Sequence, residues 1–201
     1  IDPKIPPVML TDVGFDQQLS RTVNDRAKAS EMEHAVRAHI RKHMDEDPVL
    51  YRKFSERLNE ILQSLGEQWD DLVLQLQGMI TELRTGIVPD SQVPDNLPAH
   101  CAPFLRTVID VACSGGTPGE PELLRLRDVT VELVSILVQE IQSDPRIWTA
   151  QKLSAREALS GLLFEHISRL RPPLVNDEKA GELADRLLEQ AQANHNALMD
   201  V

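Results

Sequence analysis

DPVLYRKFSERLNEILQSLG, residues 47–66, carries the apolar spacing of a helix rather than a strand. Leu50, Phe54, Leu58, Ile61, Leu62 and Leu65 recur three or four positions apart. That spacing gathers them on one side of an α-helix, whereas a half-buried strand needs strict alternation. Asp47 supplies a capping carboxylate, and Pro48 occupies the first helical position, where a missing N–H costs nothing. Gly66 is a natural stop. The pattern predicts an amphipathic helix over 48–65.

The same signature extends in both directions. Upstream, Met32, Ala35, Val36, His39, Ile40 and His43 share one face of a predicted helix over 24–43, with Asn24 as N-cap. Downstream, Trp69, Leu72, Val73, Leu76, Ile80 and Leu83 line a helix over 67–84. It follows the previous one with almost no loop, so the two form an antiparallel hairpin. Residues 86–98, with Pro89, Pro94 and Pro98, mark a candidate subdomain break.

Further helices are predicted over 102–112, 122–143, 145–169 with a bend near Ser154, and 177–199. Pro172-Pro173 stops the sixth, because the residue before a proline is pushed out of the helical region. Residues 1–23 read as an extended lead-in anchored by Phe15 and Leu19. The expectation is an all-α chain of about seven helices over 24–201. It forms either an antiparallel helical bundle or two packed helical subdomains.

Composition bounds the function. Aromatic residues are only 3%, which suits helix-on-helix packing more than a sheet. The net charge of −11 sets 21 Lys and Arg against 32 Asp and Glu, a balance that disfavours strong gripping of DNA phosphates. Cys101 and Cys113 form neither a CxxC pair nor a disulfide framework, and read as small buried hydrophobes. No run of 18 apolar residues is present, so no membrane span is expected. The start Ile1-Asp2-Pro3 lacks both a Met and a signal-peptide pattern, and reads as a cut from a longer polypeptide. A cytoplasmic location is expected.

No catalytic signature stands in the setting its chemistry needs. Gly115, Gly116 and Gly119 lack the lysine of a phosphate-binding loop and its strand-to-helix setting. Asp45-Glu46-Asp47 reads as a solvated cap rather than a Mg²⁺ box. Pro94-Asp95 and Asp177-Glu178-Lys179 match a nuclease pattern in letters only. His39 and His43 stand at the i, i+4 spacing that can bind zinc, but packing or capping is the preferred reading. No catalytic, cofactor-binding or metal-binding residue is assigned.

Three segments resemble the C-terminal region of the R subunit, the motor and nuclease subunit of type I restriction-modification enzymes. They are NDRAKASEMEHAVR at 24–37, DEDPVLYRKFSERL at 45–58, and ELADRL at 182–187 with AQANH at 191–195. The resemblance implies a role and no active-site residue: a helical region that supports the motor lobes and docks onto the modification and specificity subunits. DNA is then met only through the full complex, and ATP and Mg²⁺ belong to other domains of the parent protein. The expected docking surface is the apolar set Leu183, Leu187, Leu188, Ala191 and Leu198. The alternative is a helical domain along the DNA translocation path, with Arg37, Arg41, Lys42, Arg52, Lys53 and Arg57 as a basic strip.

Overall fold

The computed structural model describes residues 10, 13–85, 93–94 and 96–201. The chain is all-α: the described residues are 78% helical, and there is no strand among them. Its helices are α1 (Val13–Arg21), α2 (Asp25–His43), α3 (Pro48–Leu65), α4 (Trp69–Thr85), α5 (Ala102–Ala112), α6 (Glu120–Ser143), α7 (Leu153–Arg169), α8 (Asp177–Ala193) and α9 (His195–Met199). Short 3-10 turns at Ala99–Cys101 and Ala150–Lys152 lead into α5 and α7.

The chain divides into two compact units. The first is Ile1–Met44 with Tyr51–Ser91, and the second is Asp45–Leu50 with Gln92–Val201. The change of unit after Ser91 falls inside the proline-rich stretch 86–98, of which 86–92 and 95 lie outside the described residues.

In the first unit, Met32, Ala35, Val36 and Ile40 of α2 are buried, as are Leu72, Val73, Leu76, Met79 and Ile80 of α4 and Phe54, Leu58 and Ile61 of α3. Apart from Met79, each falls on a stripe that the helical period predicts. Asn24 caps α2 by accepting the Arg26 N–H at 2.9 Å. Gly66 stands at φ +51°, the left-handed conformation that glycine adopts without a Cβ clash, and so closes α3.

The lead-in is corrected: Val13–Arg21 is a helix, not extended chain. Phe15 and Leu19, four residues apart, are both buried, and Leu10 is buried with them. Two anchors are too few to reveal a period in sequence. The contacts that hold α1 come from far along the chain: Arg84 donates to the Leu10 carbonyl at 2.8 Å and to both Asp16 carboxylate oxygens at 3.0 and 3.1 Å.

The second unit surrounds one continuous apolar core. Phe104, Leu105 and Val108 of α5 meet Leu126, Leu133, Leu137 and Ile141 of α6, Leu159, Leu163 and Ile167 of α7, and Leu183 and Leu187 of α8. Two helix boundaries differ from expectation. Asp144-Pro145 caps a turn rather than a helix: Asp144 accepts the Arg146 N–H at 3.3 Å through Oδ1, and Ile147 is tucked into the core, so α7 begins only at Leu153. The final helix breaks at Asn194, whose side chain has partners elsewhere. Leu162, predicted on the inner stripe of the sixth helix, is exposed beside the buried Leu163.

Candidate functional site

The best-defined polar arrangement lies in the second unit, around the six residues Asp45–Leu50. Asp47 is buried. Its Oδ1 accepts the Leu50 N–H at 3.1 Å, which caps α3 as the sequence predicts. Its Oδ2 accepts a hydrogen bond from Arg106 of α5, making an ion pair largely removed from water. The solvated-cap reading is therefore corrected for Asp47, although Asp45 is exposed. The residue before it, Glu46, offers its backbone carbonyl to two α8-end donors: Gln190 Nε2 at 3.1 Å and Asn194 Nδ2 at 2.8 Å.

Gln190 completes the arrangement by accepting the Thr107 hydroxyl at 2.9 Å through Oε1. Both of these residues are 1% exposed, so each would be costly to bury without the other. One turn away on α5, Asp110 pairs with Arg186 of α8 at 2.8 Å, and Arg186 also meets Glu182 at 3.4 Å. Lys179 donates to the Val111 carbonyl at 3.3 Å and to Ser114 Oγ at 2.7 Å. Apart from the Arg186–Glu182 pair within α8, these groups hold helix to helix or loop to helix. Chemically, the arrangement is a clamp on the Asp45–Leu50 segment.

The clamp joins stretches that lie far apart in the chain. Glu46 and Asp47 come from the DEDP motif, and Asn194 comes from AQANH. Sequence reasoning found these residues but not their relation. Arg106, Thr107 and Gln190 were missed altogether. The only signal for them is a polar residue at a position where the helical stripe is apolar.

The predicted docking face is corrected. Leu183, Leu187, Ala191 and Leu198 are all 0% exposed and belong to the core of their own unit, and only Leu188 is half-buried at the surface. An α8 packed between α5 and α7 needs apolar residues on more than one side. The basic strip is also reduced. Arg37 is paired with Glu33 at 2.8 Å, and Arg57 with Glu82 at 2.5 Å. Arg41, Lys42, Arg52 and Lys53 are exposed.

His39 and His43 pack ring against ring, with centroids 4.5 Å apart, and both lie 5.9 Å from the Tyr51 ring, which in turn lies 6.4 Å from Phe54. The two histidines are thus part of an aromatic cluster joining α2 and α3. No group of three or more metal-ligating side chains occurs among the described residues.

Burial pushes the pKa of the Cys101 thiol up to about 11. Cys113 is also raised, by burial first and then by the Glu122 charge. Asp144 is held below the usual carboxylate range, chiefly by its hydrogen bond with Lys152, 2.6 Å away. No helix among the described residues is long and apolar enough to cross a membrane.

No family model, curated protein or solved structure matches this chain.

Proposed function

We propose that this chain is the C-terminal helical region of a type I restriction enzyme R subunit. Its work is to support the ATP-driven DNA translocase and nuclease and to dock it onto the methyltransferase core in the cytoplasm. It performs no chemistry of its own. The identification rests on three segments that resemble the family in order along the chain. The observation that carries the role is the clamp, where the Glu46 carbonyl and the Asp47 carboxylate are held by Arg106, Gln190 and Asn194. Residues of two resembling segments, almost 150 positions apart, thus serve the same tertiary contact (the Glu46–Asn194 separation is 148). A motif used in this way argues for a structural module rather than a displaced active site.

The test is co-purification of the tagged chain with modification and specificity subunits of a type I system from the same source. Retention of both subunits is expected. Free elution of both, with the chain folded by circular dichroism, refutes the docking role. Submicromolar binding to duplex DNA at about 0.15 M salt, abolished by reversing Arg41, Lys42, Arg52 and Lys53, would transfer support to the DNA-path reading.

A further inference from the structure

The seam between α7 and α8 carries a groove of about 390 Å³ on the surface of the second unit. Four of its lining residues, Leu153, Arg156, Glu157 and Ser160, come from α7, and four more, Asp185, Leu188, Glu189 and Gln192, come from α8. Each set has the spacing i, i+3, i+4, i+7, so each is one continuous helix face over about two turns, roughly 10 Å. Two adjoining helices that present such faces form the trough into which a third helix packs ridge to groove. Ser160 donates to Asp185 at 3.0 Å and bridges the two helices.

The chemistry of the lining selects the occupant. Leu153 is 55% exposed and Leu188 half-buried, and Trp148 adds its ring. The indole N–H of Trp148 is already donated to His195 Nδ1 at 3.1 Å, so its polar atom is satisfied within the unit. Three carboxylates, Glu157, Asp185 and Glu189, line the groove against one cation, Arg156. The Arg156 guanidinium is turned to the Trp148 and Thr149 carbonyls, at 3.0 and 3.4 Å.

An apolar patch with an acidic border is complementary to leucine-type anchors flanked by lysine or arginine. Single exposed apolar residues elsewhere, such as Leu74, lie outside this groove.

We propose that the α7–α8 groove is a docking site for a basic amphipathic helix of a partner protein. Leu153, Trp148 and Leu188 receive its apolar anchors, and Glu157, Asp185 and Glu189 receive its cationic flank. The site does not depend on the restriction-subunit reading.

The probe is a fluorescent designed peptide of Leu and Lys with apolar residues at i, i+3, i+4 and i+7, titrated with the full chain at about 0.15 M salt, where exposed charges are screened beyond roughly 8 Å. A Leu/Glu peptide of the same pattern is the comparison. Saturable binding of the Leu/Lys peptide alone is expected, weakened about tenfold or more by Leu153→Asp and by the double change Glu157→Lys with Glu189→Lys, a loss of about 1.4 kcal/mol or more.

The double change Glu56→Lys with Glu60→Lys on exposed α3 positions alters the net charge equally and should leave the affinity unchanged. Equal loss from both double variants would mean that the peptide reads net charge only, and would overturn the proposal. So would equal binding of the Leu/Glu peptide. Concentration-dependent dimerisation abolished by Leu153→Asp would give the groove to a second copy of this chain instead. Circular dichroism of Leu153→Asp, a change at an exposed position, shows that a lost signal is not lost folding.

Discussion

In the first unit, two ion pairs between helices among the described residues each keep a solvent-exposed partner: Arg57 with Glu82 between α3 and α4, and Arg84 with Asp16 between α4 and α1. The second unit adds a buried polar arrangement in which Asp47, Thr107 and Gln190 are each less than 5% exposed. The difference matters energetically. Water competes with exposed pairs and weakens them, so each contributes about 0–1 kcal/mol. A buried donor or acceptor that loses its partner has no water to replace it. Removing one polar partner should therefore cost the second unit more at its clamp than it costs the first at these ion pairs.

The chain holds two tryptophans, which fall one to each unit: Trp69 in α4 and Trp148 before α7. Trp69→Phe and Trp148→Phe backgrounds therefore give a fluorescence report on each unit separately. The largest effect is expected from Leu187→Asp, which buries an unpaired charge in the core of the second unit. The Trp148 signal should lose its unfolding transition while the Trp69 transition persists. Loss of both together would show that the units unfold as one.

Next comes Asp47→Ala. It strips Arg106 of its buried partner and α3 of its cap, and should lower stability by about 3–5 kcal/mol in urea unfolding followed at Trp148. A cost under about 1 kcal/mol would place the clamp in the same class as the surface pairs and remove the contrast between the units.

Alkaline pH gives a third handle on the second unit. Burial raises Cys101 from its ordinary 9.0 to about 11, so the folded chain holds the thiol proton more tightly than the unfolded chain does. Its contribution is fully present below pH 9.0 and is lost as the pH climbs towards about 11. The loss should reach about 2–3 kcal/mol, at 1.36 kcal/mol per pKa unit. Cys101→Ala should flatten the difference in stability between pH 8 and pH 11 by that amount, and a parallel pH dependence in both proteins would refute the link. The smallest effect is expected from Arg57→Ala in the first unit, no more than about 1 kcal/mol and shrinking with added salt. A larger, salt-independent cost would mean that the first unit also relies on polar contacts.

Legibility in the sequence followed the range of the interaction. Asn24 and Asp47 were readable as caps because a cap acts within three residues of its own backbone. Val13–Arg21 was not readable as a helix, since Arg84, about 70 positions away, supplies its polar contacts. The start of α7 was misplaced because Asp144-Pro145 has the same letters as Asp47-Pro48 and the same local capping chemistry. In one case a helix follows. In the other, Ile147 turns into the core and ends the run. The α7–α8 groove had no sequence signal as a groove, for its two faces are 25 or more residues apart and each alone is an ordinary mixed helix face.

Periodicity and capping residues suffice to show that this chain is built of helices, where most of them start and stop, and which side of each is apolar. Those properties depend on a 3.6-residue period and on neighbours within one turn. What covers each apolar side is a matter of long-range packing. Leu183, Leu187, Ala191 and Leu198 have the pattern of a docking face and are instead the core, whereas Leu153 and Leu188 are left at the surface. Long-range packing also decides that Asp47 is a buried clamp residue and Asp45 is not, two positions apart in the same acidic run. Burial depends on which distant segment arrives at a face, and no periodicity within a helix encodes that arrival.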